Sequence, residues 1–159
     1  MLLAVLTVSD RCSQGLMTDT AGPAVAALLN SKWPAAEVLT DLVPDDEDAI
    51  ADTLENLSAQ GAALILTAGG TGLGPRDRTP EATRRVIDRE APGLAEAMRS
   101  LGAVTNPFAW LSRADAGLKG KTLIVNLPGS QRGAEESLAA ILPLLAHGIE
   151  IAAGGQSHP

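Results

Sequence analysis

The sequence contains few of the residues that several common kinds of protein site require. Its 159 residues include one cysteine, Cys12, so neither an internal disulfide framework nor a cysteine-based zinc site can form. The two histidines, His147 and His158, are too few for a His-rich metal site and argue against a Ser-His-Asp triad. Aromatic residues make up 2% of the chain, which leaves almost no stacking platform for single-stranded nucleic acid.

Basic residues and long apolar runs are also scarce. Twelve Lys and Arg stand against 19 Asp and Glu, and the net charge of −7 disfavours a general attraction to nucleic acid or to an anionic membrane. No apolar run approaches the roughly 20 residues that span a bilayer. The apolar run 2–8 has no basic flank and ends in Ser9-Asp10-Arg11, so we expect a first strand and not a targeting segment. The lone thiol favours the cytoplasm.

Short apolar runs alternate along the chain with longer segments of helical periodicity. Strands are predicted over 2–8, 37–43, 62–67 and 121–126, and helices over 20–29, after 45–48, and over 79–87, 93–101 and 131–146. This alternation predicts an α/β/α sandwich around a largely parallel sheet, in which ligands bind beyond the carboxyl ends of the strands. We expect one domain, residues 1–153, and a flexible tail, residues 154–159.

A glycine loop, residues 69–74, follows the third predicted strand. It holds Gly69, Gly70, Gly72 and Gly74, more than the one or two glycines that a tight turn needs. Without Cβ atoms, the backbone N–H groups can approach an anion closely, and phosphate is the expected ligand. The dinucleotide-binding fingerprint does not fit, because Pro75 stands where its third glycine would be.

Two acidic residues could bring a metal ion to the glycine loop. Asp77 follows the loop directly, and Asp45 follows a different predicted strand. Carboxylates in such positions can hold Mg²⁺ against a phosphate, which favours metal-assisted phosphoryl or nucleotidyl transfer. A solvated turn with local salt bridges from Arg76 and Arg78 explains Asp77 equally well.

The remaining candidates are open to more ordinary interpretations. Asp10, at the end of the first predicted strand, could cap the backbone that follows it or bind a ligand hydroxyl, and capping is the more common role. Ser112 and Arg113 could bind phosphate, although an isolated pair of this kind is usually a surface feature. The segment 115–122 ends like a Walker A loop, but a predicted strand follows in place of a helix, so we interpret this match as coincidence.

Seven segments of the chain occur in an order that is typical of one family. They are Thr7-Val8-Ser9-Asp10-Arg11, Gly15-x3-Asp19-x2-Gly22-Pro23, Val43-Pro44-Asp45, Thr67-x-Gly69-Gly70-Thr71-Gly72, Arg76-Asp77-x-Thr79-Pro80-Glu81-Ala82-Thr83, Leu111-Ser112-Arg113 and Asn126-Leu127-Pro128-Gly129. The chain thereby resembles the MogA/MoaB-type molybdenum cofactor biosynthesis proteins, the molybdopterin adenylyltransferases. The resemblance extends from about Leu3 to His147.

The resemblance implies a single molybdopterin-binding domain, a three-layer α/β/α sandwich with a largely parallel, mixed sheet, which assembles as a homotrimer. It implies transfer of AMP from MgATP to the terminal phosphate of molybdopterin, release of pyrophosphate, and hand-over to a molybdate-insertion protein. Asp77 and Asp45 match acidic residues that are essential in the family, and would be catalytic and Mg²⁺-binding. The implied substrate-binding residues are Ser9, Asp10, Gly69, Gly70, Thr71, Gly72, Ser112, Pro128 and Gly129.

Two alternatives to this transferase remain open. The chain could be a non-catalytic trimer that binds molybdopterin, although the presence of both Asp45 and Asp77 favours catalysis. It could also be a CinA-like nucleotide pyrophosphatase on the same fold, acting without a pterin. The run 76–83 and the segment 111–113 favour the transferase over the pyrophosphatase.

Overall fold

A computed structural model describes residues 1–155 of the protein. The strands are β1 (Leu2–Val8), β2 (Glu37–Val43), β3 (Leu64–Ala68), β4 (Arg89–Glu90), β5 (Ala116–Lys119) and β6 (Thr122–Leu127). The helices are α1 (Asp10–Ser13), α2 (Ala21–Lys32), α3 (Glu47–Ala59), α4 (Thr79–Val86), α5 (Pro92–Ala103) and α6 (Gln131–Ala152), and a 3₁₀ helix covers Pro107–Leu111.

The six strands form one mixed sheet in the order β2-β1-β3-β6-β5-β4. The first four strands in that order are parallel to one another, whereas β5 and β4 are antiparallel to their neighbours. Parallel neighbours need crossover connections, which the helices supply on both faces of the sheet. The predicted three-layer α/β/α sandwich with a largely parallel, mixed sheet is confirmed.

Strand β1 shows how both faces of the sheet are buried. Leu3 and Val5 pack into a cluster with residues of α2, α5 and α6 on one face. Ala4 and Leu6 pack with α3 and α4 on the other. Burial on both sides is why β1 has no alternating polar positions, and the removal of this apolar surface from water stabilises the fold.

Each predicted strand and helix is present, and the largest difference in bounds is at the last helix. Strands β1 and β2 have the predicted bounds, and β3 and β6 are shifted by one or two residues. Helix α6 continues through Pro143 to Ala152, beyond the predicted end at 146. Pro143 removes one backbone hydrogen bond, but the buried Leu145 and Ile149 keep the following turns packed on the sheet. No helix within residues 1–155 is long and apolar enough to cross a membrane.

The predicted boundary at residue 153 stays a prediction. Gly154 and Gly155 are described, whereas the rest of the predicted tail, residues 156–159 with His158, lies outside the described residues.

The mixed sheet was implied by the resemblance, but its antiparallel strands β4 and β5 were not predicted from the sequence. Lys119 pairs with Thr122, so Gly120 and Lys121 form the two-residue turn of a β5–β6 hairpin, in which Gly120 has a φ of +56°. The Walker-A-like segment 115–122 thus lies in a hairpin and leads into a strand. A Walker A loop would lead into a helix, so the match is a coincidence of sequence, as predicted.

A buried polar network fixes the carboxyl end of β6. Asn126 is 0% exposed. Its side-chain amide donates to the hydroxyls of Thr67 on β3, at 3.1 Å, and of Thr83 on α4, at 2.8 Å. Its side-chain carbonyl accepts from the N–H of Asp115 at 3.2 Å. The network therefore joins β3, β6, α4 and the segment before β5 next to the ends of the parallel strands.

We expect Asn126→Ala to lower the free energy of unfolding by about 2–4 kcal/mol, because it leaves buried polar groups unpaired and opens a cavity. Urea unfolding followed by circular dichroism measures the change. Asn56→Ala, at an exposed position of α3, is the control and should change stability by less than about 0.5 kcal/mol. Equal stability of Asn126→Ala and wild type would contradict the role of the network.

Candidate functional site

The candidate site begins where three adjacent parallel strands end. Strand β3 lies between β1 and β6, with Ala68 opposite both Thr7 and Leu127. The residues that follow these strands, Ser9, Gly69 and Pro128, are therefore brought to one edge of the sheet. Gly69 extends this pairing by donating its N–H to the Leu127 carbonyl at 3.1 Å. This is the edge at which parallel α/β sheets bind ligands.

The glycine loop passes very close to other backbone at its first two residues. Gly69 has a φ of +117°, and a Cβ there would lie 2.1 Å from the Val8 carbonyl oxygen. Gly70 has a φ of +63°, and its Cβ would lie 2.3 Å from the Thr79 hydroxyl oxygen. A side chain at either position would force the loop away from β1 or α4, so both glycines are required by backbone geometry.

Gly72 and Gly74 serve a different purpose from the first two glycines. Neither has a positive φ. A Cβ at either position would instead lie 2.9 Å or 2.8 Å from a carboxylate oxygen of Asp77. These two glycines leave room for the Asp77 side chain. Positive φ therefore explains only two of the four glycines in the loop.

Two residues outside the glycine loop bind all of its first four carbonyl oxygens. Thr79 donates its hydroxyl to the Gly69 carbonyl at 2.8 Å and its N–H to the Gly70 carbonyl at 3.1 Å. Arg113 donates its N–H to the Thr71 carbonyl at 2.9 Å and its Nε to the Gly72 carbonyl at 2.7 Å. The carbonyls of residues 69–72 therefore all face protein donors.

The three N–H groups in the middle of the glycine loop differ from those of Gly69 and Gly74, which donate to Leu127 and Asp77. Within residues 1–155, those of Gly70, Thr71 and Gly72 donate to no protein acceptor. Thr71 is nevertheless buried, at 5% exposed. Gly70 and Gly72 are half-buried and face the cavities described below, so three consecutive N–H groups without a protein acceptor can form a nest for an anion.

Arg113 is the residue of this candidate site whose contacts the sequence indicated least. Besides the loop carbonyls, its guanidinium donates to the main-chain carbonyl of Asp77 at 2.6 Å and forms a salt bridge with Glu81 on α4. Burial is the strongest influence on the pKa of Glu81 and raises it, but the hydrogen bond from Arg113, the backbone hydrogen bond of Glu81 and the charges of Arg113 and Arg78 together outweigh it, so the pKa lies below its ordinary value. The segment 111–113 of the family pattern was the available signal, but the spacing alone suggested a surface pair.

Asp45 and Asp10 hold the ends of β2 and β1 together. The Asp10 N–H donates to Asp45 Oδ2 at 2.8 Å, and the Asp45 N–H donates to Asp10 Oδ1 at 3.0 Å. Arg76 forms a salt bridge with the Asp10 carboxylate at 2.8 Å. Within the described residues, Asp45 Oδ1 has no hydrogen-bond donor, and it lies 3.2 Å from the Cβ position of Gly70. One carboxylate oxygen of Asp45 is thus free beside the glycine loop.

The carboxylates of Asp45 and Asp77 are near enough to influence each other. Burial raises the pKa of Asp45 above its ordinary value; the Asp10 N–H acts in the opposite direction, and the negative charges of Asp10 and Asp77 raise it further. Asp77 accepts from the Gly74 N–H at 2.7 Å through one oxygen only. Within residues 1–155, no three His, Cys, Asp or Glu side chains form a metal-binding group. The carboxylates near the loop could therefore hold a metal only together with oxygens of a ligand.

Two cavities meet at the glycine loop. The larger has a volume of about 550 Å³ and the smaller about 220 Å³, and both are lined by Gly70, Asp77 and Gly129. The larger is also lined by the predicted residues Thr71, Gly72, Ser112 and Pro128. The smaller is also lined by the predicted residues Ser9, Asp45 and Gly69.

Three of the predicted residues make local contacts that account for part of their presence. Asp10 lines neither cavity and instead joins Asp45 to Arg76. The Ser9 hydroxyl accepts from the Cys12 N–H and caps α1, and the Ser112 hydroxyl accepts from the Ala114 N–H. The cap that was predicted at Asp10 is thus made by Ser9, because the Asp10 carboxylate is taken up by the Asp45 N–H and by Arg76.

One wall of the larger cavity was not predicted. It consists of α5 and the 3₁₀ helix, with Met98, Gly102, Phe108 and Leu111 among its residues. Phe108 is the only phenylalanine of the chain and is 72% exposed. The sequence around 106–107 carries no periodic pattern, so only the fold reveals this wall.

A third groove lies away from these residues. Its volume is about 670 Å³, and it opens at the amino ends of β3 and β6, beside the β5–β6 turn. None of the predicted site residues lines it.

We expect Gly70→Ala to destabilise the protein by at least about 1 kcal/mol and to abolish anion binding at the loop, because the new methyl group would displace Thr79 and the loop backbone. Thermal unfolding and titration with pyrophosphate measure the two effects. The control is Gly93→Ala near the start of α5, where a Cβ would meet nothing within 4 Å. Gly93→Ala should be neutral or slightly stabilising. If Gly70→Ala bound pyrophosphate with the affinity of the wild type, close approach of the loop backbone to the anion would not be needed for binding.

The raised pKa of Asp45 predicts a pH-dependent gain in stability for Asp45→Asn, measured as Tm in metal-free buffer. A raised pKa in the folded state means that ionised Asp45 weakens the fold, so the gain should grow as the pH rises through the folded-state pKa. The gain should shrink as the pH falls and disappear below about pH 3, where the carboxyl is protonated in both states. Asp52→Asn, on the exposed side of α3, should show no such trend. A lower Tm for Asp45→Asn at neutral pH would contradict this account.

Comparison with known proteins agrees with the geometry. The family model MoCF_biosynth, described as "Probable molybdopterin binding domain", matches residues 4–147. Molybdopterin adenylyltransferase of Helicobacter pylori strain 26695 is 36% identical over 154 residues, which cover 96% of this chain and 88% of the relative. Some relatives are much longer: the chain is 38% identical to the molybdenum cofactor synthesis protein cinnamon of Drosophila melanogaster, covering 92% of this chain but 25% of cinnamon.

Solved structures with the same fold are also known. The molybdopterin biosynthesis enzyme MoaB of Thermus thermophilus is 48% identical, with a TM-score of 0.87 and 96% of each chain covered. The protein CinA of Thermoplasma acidophilum has a TM-score of 0.71 at 17% identity, covering 91% of this chain and 99% of its own, which is a likeness of fold alone. The family model matches residues 4–147, which is most of this chain, and the chain therefore belongs to the molybdopterin-binding domain family.

Proposed function

We propose that this chain is a molybdopterin adenylyltransferase, a nucleotidyltransferase of molybdenum cofactor biosynthesis. It transfers AMP from MgATP to the terminal phosphate of molybdopterin and releases pyrophosphate. The observation that carries the proposal is that two cavities share Gly70, Asp77 and Gly129 beside three unpaired loop N–H groups. A reaction that joins two phosphorylated substrates needs two binding spaces that meet at one anion-binding point. Relatives of similar length that are named molybdopterin adenylyltransferase support the same reaction.

The transfer forms one phosphorus–oxygen bond and breaks another. An oxygen of the pterin's terminal phosphate attacks the α-phosphorus of ATP, and the bond from that phosphorus to the oxygen bridging to the β-phosphate breaks. In this proposal the N–H groups of Gly70, Thr71 and Gly72 hold phosphate oxygens, as fixed dipoles that need no reorganisation. The substrates contact the residues that line the two cavities, among them Ser9, Gly69, Ser112, Pro128 and Gly129. Asp10 keeps Asp45 in place.

The donor set near the loop fits Mg²⁺. Asp45 has one carboxylate oxygen without a donor among the described residues, and Asp77 uses one oxygen for Gly74. Mg²⁺ in nucleotide sites is held by one or two carboxylates together with substrate phosphates, which matches this pair. Asp77 and Asp45 would hold the ion, which when bound neutralises charge on the phosphates. A carboxylate pair of this kind favours catalysis over binding alone.

The assembly and cellular context are further parts of the proposal. We propose a homotrimer in the cytoplasm that passes its product to a molybdate-insertion protein. Exposed apolar side chains at the end of α5 and on the 3₁₀ helix supply a surface that favours contact between subunits. They are Leu101, Val104, Phe108, Trp110 and Leu111, and each is more than half exposed.

Asp77→Asn should reduce pterin-dependent pyrophosphate release by about a hundredfold or more, because it removes a charge that holds the metal and its phosphates. The amide oxygen can still accept from Gly74, so the fold should persist, as circular dichroism would verify. Asp52→Asn is the control and should retain wild-type turnover.

The same assay separates the alternatives. Pterin binding by wild type without pyrophosphate release would favour the non-catalytic trimer. Nucleotide cleavage that needs no pterin would favour the CinA-like pyrophosphatase. Near-wild-type release by Asp77→Asn would remove the role given to this residue.

A further inference from the structure

The larger cavity has an unusual balance of charge for a site that takes anionic substrates. Three charged residues line it: Asp77, Arg99 and Glu136. Glu136 already pairs with Arg132 on the same helix at 2.7 Å. Arg99 is therefore the single cation among the described residues that line this cavity. The chain as a whole carries a net charge of −7, so its general field repels phosphates and any attraction must be local.

Arg99 is held in place but its charge is not neutralised. It lies on α5, partly buried, and its Nη1 donates to the carbonyls of Ala114 at 2.9 Å and Ser112 at 3.3 Å. Within residues 1–155 it forms no salt bridge, and its Nε and Nη2 donate to no protein acceptor. The two carbonyls orient the guanidinium and leave donors free for a ligand.

Most other arginines of the described chain differ from Arg99 in this respect. Salt bridges to carboxylates occupy six of them: Arg76, Arg78, Arg84, Arg85, Arg113 and Arg132. Arg11 and Arg89 also form none, but neither lines the larger cavity. A guanidinium that is anchored by carbonyls, free of carboxylates and placed in a cavity wall is suited to binding the oxygens of a phosphate.

We propose that Arg99 is a binding residue for a phosphate group of a substrate in the larger cavity. This inference rests on the proposed function, because it assumes that phosphorylated substrates occupy the cavity. The phosphate belongs either to the terminal group of the pterin or to the nucleotide. In both cases the guanidinium supplies the fixed positive charge that the nest of loop N–H groups lacks.

Three variants test the inference. Arg99→Gln removes the charge but keeps a donor for the Ala114 carbonyl, and Arg99→Lys keeps the charge with fewer donors. Arg89→Gln is the matched control, since Arg89 lies on the edge strand β4, has no salt bridge within the described chain and donates only a 3.5 Å hydrogen bond to Gly120. Calorimetric titration with MgATP and, separately, with molybdopterin gives Kd at low and high salt.

For Arg99→Gln we expect the Kd of one substrate to rise by about tenfold to a hundredfold, as for loss of a charge-assisted hydrogen bond. Arg99→Lys should fall between Arg99→Gln and wild type. The salt dependence of Kd should be weaker in Arg99→Gln than in wild type, because a charge contact is lost. If the role of Arg99 were purely structural, the salt dependence would not change. A rise confined to molybdopterin assigns the pterin phosphate, and a rise confined to MgATP assigns the nucleotide.

Wild-type Kd values for both substrates in Arg99→Gln would overturn the inference while leaving the proposed function intact. An equal loss of affinity in Arg99→Lys and Arg99→Gln, with unchanged salt dependence, would overturn it in favour of a structural role. A wild-type protein that binds neither substrate would instead contradict the proposed function, and with it the premise of this inference.

Discussion

The site depends on the binding of four consecutive loop carbonyls by Thr79 and Arg113. A peptide loop offers a donor and an acceptor at each residue, and an anion can use only the donors. Thr79 and Arg113 bind the carbonyls of residues 69–72, and the N–H groups of Gly70, Thr71 and Gly72 have no partner among the described residues, so the side of the loop that is left for a ligand carries donors. The absence of Cβ atoms at Gly69 and Gly70 allows the loop to approach β1 and α4 closely enough for this binding.

This arrangement offers one way for an acidic protein to bind anionic substrates. Positive charge spread over the surface is not available, since 19 acidic residues outnumber 12 basic ones. In the proposed function the loop instead uses fixed backbone dipoles, and Asp45 and Asp77 would supply carboxylates that suit a cation arriving with the nucleotide. Burial of Asp45, and its two acidic neighbours, raise its pKa in the protein without ligand. A bound cation would relieve that unfavourable interaction, so metal and substrate are expected to bind together.

The sequence predicted those parts of the structure that depend on local pattern. The bounds of β1 and β2 followed from apolar runs that end at turn residues, and the glycine loop was identified from its composition. Strand β5 was missed because its four residues become a strand only by pairing with β6 across the Gly120 turn. The wall of the larger cavity, with Phe108, depends on how the 3₁₀ helix packs against α5 and has no periodic signal. The contacts of Arg113 with Gly72, Asp77 and Glu81 join residues 32 to 41 positions apart, which no local pattern encodes.

The most direct test of the account is mass spectrometry of the products formed by wild-type protein with MgATP and molybdopterin. The account predicts a pterin product heavier by one adenylyl group, formed together with an equal amount of pyrophosphate and only when both substrates are present. Recovery of unmodified molybdopterin, with or without cleavage of ATP, would contradict the proposed transfer.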